Sequence, residues 1–200
     1  MLKKSELVVK SNDLIRASYT LGLVEQRLIL MAIVTARETG LGITADTLLE
    51  IRAMDYAQLF SVTKQAAYMA LSNAIETLFN RRATVQVYDE RRKGLRSLTV
   101  RWVTAMDYEE SMGLITLRFG HEVVPEITRL EANFTSYEIE QISNLTSAYA
   151  IRLYELLIKW RSTGKTPMMT LSDFRGKLGI ENDEYEMMSD FKKRVLDISI

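Results

Sequence analysis

Two clusters of cations stand out in a chain whose charges otherwise cancel. Arg91, Arg92, Lys93 and Arg96 surround Gly94, and Lys192, Lys193 and Arg194 run consecutively near residue 200. Cations on a mobile turn neutralise phosphates and release counterions without demanding base register. Cations along one side of a helix can instead present donors to base edges in a major groove. Lys64, Arg175 and Lys177 complete the candidate DNA-binding set. The competing reading of each cluster is a solvated, charged surface that keeps the chain soluble.

Other chemistries find little support. Cysteine is absent and His121 is the single histidine, which removes disulfides, thiolate chemistry and multi-histidine metal sites. No phosphate-binding glycine loop and no nucleophile elbow occurs, and His121 reads as an ordinary surface or core histidine. Nine tyrosines leave a strand-nicking nucleophile open by residue type, yet no histidine cluster exists to hold the metal such chemistry uses. The chain is therefore expected to be no enzyme, with no cofactor and no metal.

Lys and Arg total 26 against 26 Asp and Glu, so any preference for nucleic acid must be local. It is. From Arg81 to Arg101 seven positive side chains face two negative ones, whereas from Asp107 to Glu140 eight negatives outnumber two positives.

The elements that would position these groups follow from periodicity. Apolar residues from Leu23 to Arg37 fit a helix that is apolar nearly all round, stopped by Gly40 and Gly42, and a short alternating strand follows at 49–53. A helix is expected at 55–60, and a longer one, capped by Thr63, carries Ala67, Leu71, Ala74, Ile75 and Leu78. Residues 84–88 and 97–103 read as a β-hairpin with the charged tip 89–94, to which 113–119 would add a third strand. Helix, strand, helix, helix, hairpin is the order of a winged helix-turn-helix.

The order recurs. A helix at 147–161, a breaker at 162–167, a strand at 168–171, a helix capped by Ser172 and ending at Gly179, and a further helix from about Asp183 form a second series. Arg27-Leu28 aligns with Arg152-Leu153, Asp55-Tyr56 with Asp173-Phe174, and Tyr68 with Tyr185, in sequence order. We read a duplication. The fold class is α+β, with tandem winged helix-turn-helix domains at 1–133 and 134–200. The second is expected to be truncated before its wing, with residues 181–200 frayed or packed non-natively.

The run from Val9 to Tyr19 (VKSNDLIRASY), the run from Leu23 to Leu30 (LVEQRLIL), and Tyr185 with the run from Asp190 to Leu196 (DFKKRVL) resemble the iteron-binding replication initiators of bacterial theta plasmids, of the RepB or RepM type. The resemblance implies a first domain that mediates homodimerisation and contributes phosphate contacts, and a second whose recognition helix reads iteron bases. Lys192, Lys193 and Arg194 fall on the basic triplet of that helix. It further implies double-stranded plasmid origin DNA as ligand and host replication proteins, the initiator DnaA and the replicative helicase, as partners. Monomers would initiate, and dimers would repress the initiator's own promoter.

Two alternatives stay open: a winged-helix transcription regulator, and a dimerising or self-assembling module. Leu28 to Val34 is uncharged, apolar and free of proline, the composition of a β-aggregation segment. Its seven residues fall well short of the ~20 a membrane span requires. No signal peptide is evident, and a cytoplasmic location is expected.

Overall fold

In a computed structural model the protein is described at residues 6–40, 44, 46–128, 133–181 and 183–199. Gly42, Arg129 and Glu131, used in the reading above, lie outside these. The chain runs β1 (Leu7–Ser11), α1 (Asn12–Arg16), β2 (Ser18–Tyr19), α2 (Leu23–Thr39), β3 (Leu49–Arg52), α3 (Ala53–Leu59), α4 (Lys64–Leu78), β4 (Arg82–Asp89), β5 (Gly94–Arg101), β6 (Val103–Glu109), β7 (Leu114–Phe119), α5 (Val124–Thr128) and β8 (Phe134–Glu138). A single 3-10 turn (Ile139–Ile142) leads to α6 (Ala148–Ile158), α7 (Leu171–Leu178) and α8 (Met188–Phe191), which continues as a π turn through Leu196.

Helix α2 is central, as its pattern requires. Every residue from Leu28 to Val34 is at most 5% exposed, so the aggregation-prone segment is sealed inside the core. Glu25 closes the helix start by accepting from the Gly22 amide at 2.5 Å. Thr63 caps α4 by accepting from the Ala66 amide at 3.2 Å, as expected.

The strands depart from the sequence reading. The hairpin β4–β5 forms, with Val85 opposite Leu98 and Tyr88 opposite Leu95. It pairs not with residues 113–119 but with β2, in the order β2-β4-β5. The chain turns at Trp102, and an unforeseen strand, β6, pairs with β7 in a separate sheet of order β3-β7-β6. That sheet, with α2, α3 and α4, is the winged helix, and its wing is β6–β7. The basic hairpin lies between the third helix and the wing. Alternation of apolar residues identifies a strand but not its partner.

The second series also differs in detail. Residues 168–171 form no strand: Met168 is fully exposed, Leu171 already opens α7, and among the described residues no strand pairs with them. Thr170, not Ser172, caps α7, accepting from the Asp173 amide at 3.1 Å. The last helix begins at Met188 rather than Asp183, because Tyr185 takes a left-handed φ of 48° and Arg175 holds the Glu184 and Tyr185 carbonyls outside any helix. Nor is this segment frayed. Phe191 and Val195 are fully buried in a second core with Leu156, Leu178 and Ile180.

The division expected at 133/134 is bridged by a ladder, since β8 pairs with β1 from Leu7 opposite Glu138 to Ser11 opposite Phe134. Helix α6 serves both cores, through Ile151 in the first and Leu156 in the second.

Candidate nucleic-acid interface

The tip of the basic hairpin is held by one carboxylate. Asp89 Oδ1 accepts from the Arg91 amide at 3.0 Å and the Arg92 amide at 3.2 Å, and Lys93 supplies the left-handed residue of the turn with φ 49°. Asp89 Oδ2 lies 3.5 Å from Arg96 and 4.0 Å from Arg92, exposed pairs that hold the side chains only loosely. Among the described residues Arg91 and Lys93 make no ion pair. All four cations are exposed.

Not every positive group of this segment is available. Arg81 pairs with the buried carboxylate of Glu25 at 2.9 Å, and Arg101 donates to the Phe79 carbonyl at 2.6 Å. Both brace the base of the hairpin. Lys64 is exposed at the first position of α4, with its ammonium 5.4 Å from the centre of the Tyr68 ring.

Lys192, Lys193 and Arg194 are exposed on the π turn, with Phe191 before them and Val195 after them turned inward. Packing of the apolar side thus sends three cations outward, as the sequence suggested. Arg175 is otherwise engaged. Its guanidinium stacks 5.0 Å from the Phe191 ring and donates to the Tyr185 carbonyl at 3.0 Å, so it shapes the loop before α8. Lys177 is half-buried. With Arg16, Asp13, Ser172, Asp173 and Gly176 it lines a cleft of about 650 Å³ facing Thr84, Gln86, Tyr88 and Leu95 of the basic hairpin. The structure therefore sets α7 across a cleft from the flank of the hairpin, while Arg175 turns to the other side.

Beneath this surface lies a buried polar network that sequence reasoning missed. Lys10 Nζ sits 2.7 Å from Glu155 Oε1 and Arg152 Nη1 2.9 Å from Glu155 Oε2, with Tyr137 donating to Glu155 at 2.8 Å. Arg152 and Glu155 are at most 1% exposed. Burial works against the Glu155 carboxylate, but Lys10 and Arg152 overcome it and hold the group at about 2. The same burial raises the Tyr19 and Tyr137 hydroxyls far above their usual range, so both remain protonated donors. The partners are separated by as many as 145 residues, and no local pattern announces them.

Among the described residues no group of three or more His, Asp or Glu is arranged to hold a metal ion, and no helix is long and apolar enough to cross a membrane. His121 is exposed in the turn after β7.

The geometry agrees with what this chain is similar to. The family profile described as "Initiator Replication protein, WH1" matches residues 7–158, and that described as "Initiator Rep protein, WH2" matches 170–200. A replication initiation protein of Escherichia coli is 28% identical over 91% of this chain, which spans 57% of that relative's length. An uncharacterized 27.6 kDa protein of the same organism is 22% identical over 98% of this chain and 84% of its own. Among solved structures, the Pi initiator protein in complex with iteron DNA superposes with a TM-score of 0.72 at 20% identity, covering all of this chain and 86% of that one. The WH1 domain of MSBI1.176, a replication protein isolated from a multiple sclerosis patient, is 45% identical over 56% of this chain and 84% of its own, with a TM-score of 0.48. With the first profile spanning most of its length and the second taking up the helices α7 and α8, this chain belongs to the family of initiator replication proteins, built of tandem winged-helix units.

Proposed function

We propose that this protein initiates plasmid replication by binding the repeated iteron sequences of its origin, and that it acts by binding rather than by covalent chemistry. The observation that carries the reading is the outward triplet Lys192, Lys193 and Arg194, anchored by the buried Phe191 and Val195 at the place where a second winged helix presents its reading helix. Arg91, Arg92, Lys93 and Arg96 on the hairpin, and Lys64 at the start of α4, supply sequence-independent phosphate contacts. Lys177 lines the cleft between hairpin and α7, within reach of a backbone held there. Arg175 contributes by holding the loop before α8. We place the joint between the two units within 159–169, between the two family matches, rather than at 133/134.

Homodimers that repress the initiator's own promoter, and recruitment of the host initiator DnaA and the replicative helicase in the cytoplasm, complete the proposal. A related initiator solved with iteron DNA supports the ligand. Fluorescence anisotropy with origin repeats and with scrambled duplexes of equal composition tests it. We expect at least a thousandfold preference for the repeats, about the low end of specific protein–DNA discrimination. Equal affinity for both would refute it.

A further inference from the structure

The C-terminal end of α7 is capped by the other half of the protein. The last carbonyls of a helix have no partner within it and need donors from elsewhere. Here Ser18 Oγ donates to the Gly176 carbonyl at 3.1 Å, Arg152 Nη2 to the Lys177 carbonyl at 2.7 Å, and Thr20 Oγ1 to the Gly179 carbonyl at 3.0 Å. Gly179 closes the helix with φ 82°, and a Cβ there would lie 2.3 Å from the Tyr19 carbonyl oxygen. The backbones are therefore in direct contact, and only glycine fits.

Arg152 reaches further. Its Nη2 also donates to the Ile15 and Ala17 carbonyls at 3.1 Å, so one guanidinium joins the C-terminal ends of α1 and α7, a placement that the negative ends of both helices favour. Five fixed donors make this possible, and a lysine ammonium could not reproduce the fork. A second arginine makes a similar bridge inside the first unit. Arg27, which aligns with Arg152 in the internal repeat, donates from α2 to the Leu145 carbonyl at 3.0 Å and the Ser143 carbonyl at 3.3 Å, just before α6.

This joint lies between the two groups of exposed cations. Ser18 and Tyr19 form β2, which pairs with Thr84 and Ala83 of the basic hairpin. On the other side α7 leads to α8 through Phe174, packed edge-on against Phe191 with ring centres 6.3 Å apart. We infer that Arg152, with Ser18 and Thr20, positions the basic hairpin and the Lys192–Arg194 triplet as one rigid body, so that both engage a duplex in fixed phase. The consequence for DNA rests on the function proposed above; the rigidity does not.

The chain has no cysteine, so Glu90→Cys and Ser189→Cys, both at exposed sites, give a clean pair of spin labels on the hairpin tip and α8. Pulsed electron spin resonance on the full chain should give one narrow distance distribution. Arg152→Ala should broaden it at least twofold, and Arg152→Lys, which keeps the charge, should restore little of the width. An Arg152→Ala protein with native circular dichroism and an unchanged width would overturn the inference. If Arg152→Ala does not fold, the double variant Ser18→Ala, Thr20→Val decides, because it removes two donors to the α7 end and leaves the buried charges in place. Broadening supports the clasp, and an unchanged width overturns it. Titration of the same labelled proteins with origin repeats separates the two proposals: a narrow width without sequence preference sinks the initiator reading alone, and a broad parent width with preference sinks the clasp alone.

Discussion

Two hairpins follow each other along this chain, β4–β5 and β6–β7, both antiparallel and both alternating, and they carry opposite charge. The second lies in the β3-β7-β6 sheet of the winged helix, yet its arm carries Asp107, Glu109 and Glu110. The first belongs to another sheet, paired with β2 and facing α7 across a cleft, and carries Arg91, Arg92, Lys93 and Arg96 at its end. An acidic wing sits where topology would place a DNA contact, and the exposed positive charge is carried instead by the preceding hairpin, which pairs with β2. Position in the fold and charge thus have to be read separately: the first says what an element packs on, the second what it can meet in solvent.

Trp102, the residue between the two hairpins, welds them together. It is fully buried and packs edge-on against Tyr19 with ring centres 4.9 Å apart. Gly120 adds to the weld, since a Cβ there would lie 2.3 Å from the Arg101 carbonyl oxygen. Trp102→Ala should destabilise the protein by about 4 kcal/mol in urea unfolding and loosen both sheets together. Selective loss of one hairpin, followed by amide exchange, would show that they are not coupled.

The difference in charge is tested in solution. The triple variant Arg91→Ala, Arg92→Ala, Lys93→Ala should weaken binding to all duplexes by on the order of a hundredfold at 0.15 M salt and lower the log-log salt slope by about 2.7. Asp107→Asn, Glu109→Gln, Glu110→Gln in the wing should leave that slope unchanged. If both variants change binding alike, the assignment of the phosphate contact to the first hairpin is wrong.

The smallest effect appears only in acid. The folded protein holds Glu155 at about 2 against an ordinary 4.5, so its contribution is complete above the ordinary carboxylate range and is lost as pH falls through that range toward 2. Tyr19 of β2 contacts this carboxylate at 3.3 Å, whereas β3 and β7 do not touch it. Hydrogen exchange at about pH 3 should therefore deprotect the β2–β4 pair before the β3–β7 pair. The reverse order would uncouple the basic hairpin from the buried network.

Much of the fold was legible in the amino acids. The apolar run Leu28–Val34, within a longer helical pattern, reads as a buried helix, Thr63 and Ser147 announce helix starts, and the tip from Asp89 to Gly94 announces a reversal. The outward placement of Lys192, Lys193 and Arg194 followed from Phe191 and Val195 beside them. Strand partners were not legible. Residues 114–119 alternate as an interior strand would, but alternation is satisfied equally by either neighbouring hairpin, and only the turn at Trp102 directs them to β6 and β3.

Sequence alone thus determined most of the helices, the basic hairpin, the tandem order of two units and the two cationic groups, because propensity, capping and periodicity act over a few residues; β6 and the β1–β8 ladder escaped it. Tertiary structure decided which hairpin is the wing, which arginines are spent on carbonyls and carboxylates, and how Arg152, Glu155, Lys10 and Tyr19 meet. The last of these depends on hydrogen bonds that Glu155 makes with Lys10 and Tyr19, more than a hundred residues away, whose strength comes from exclusion of water at a place that exists only after the chain has closed around it.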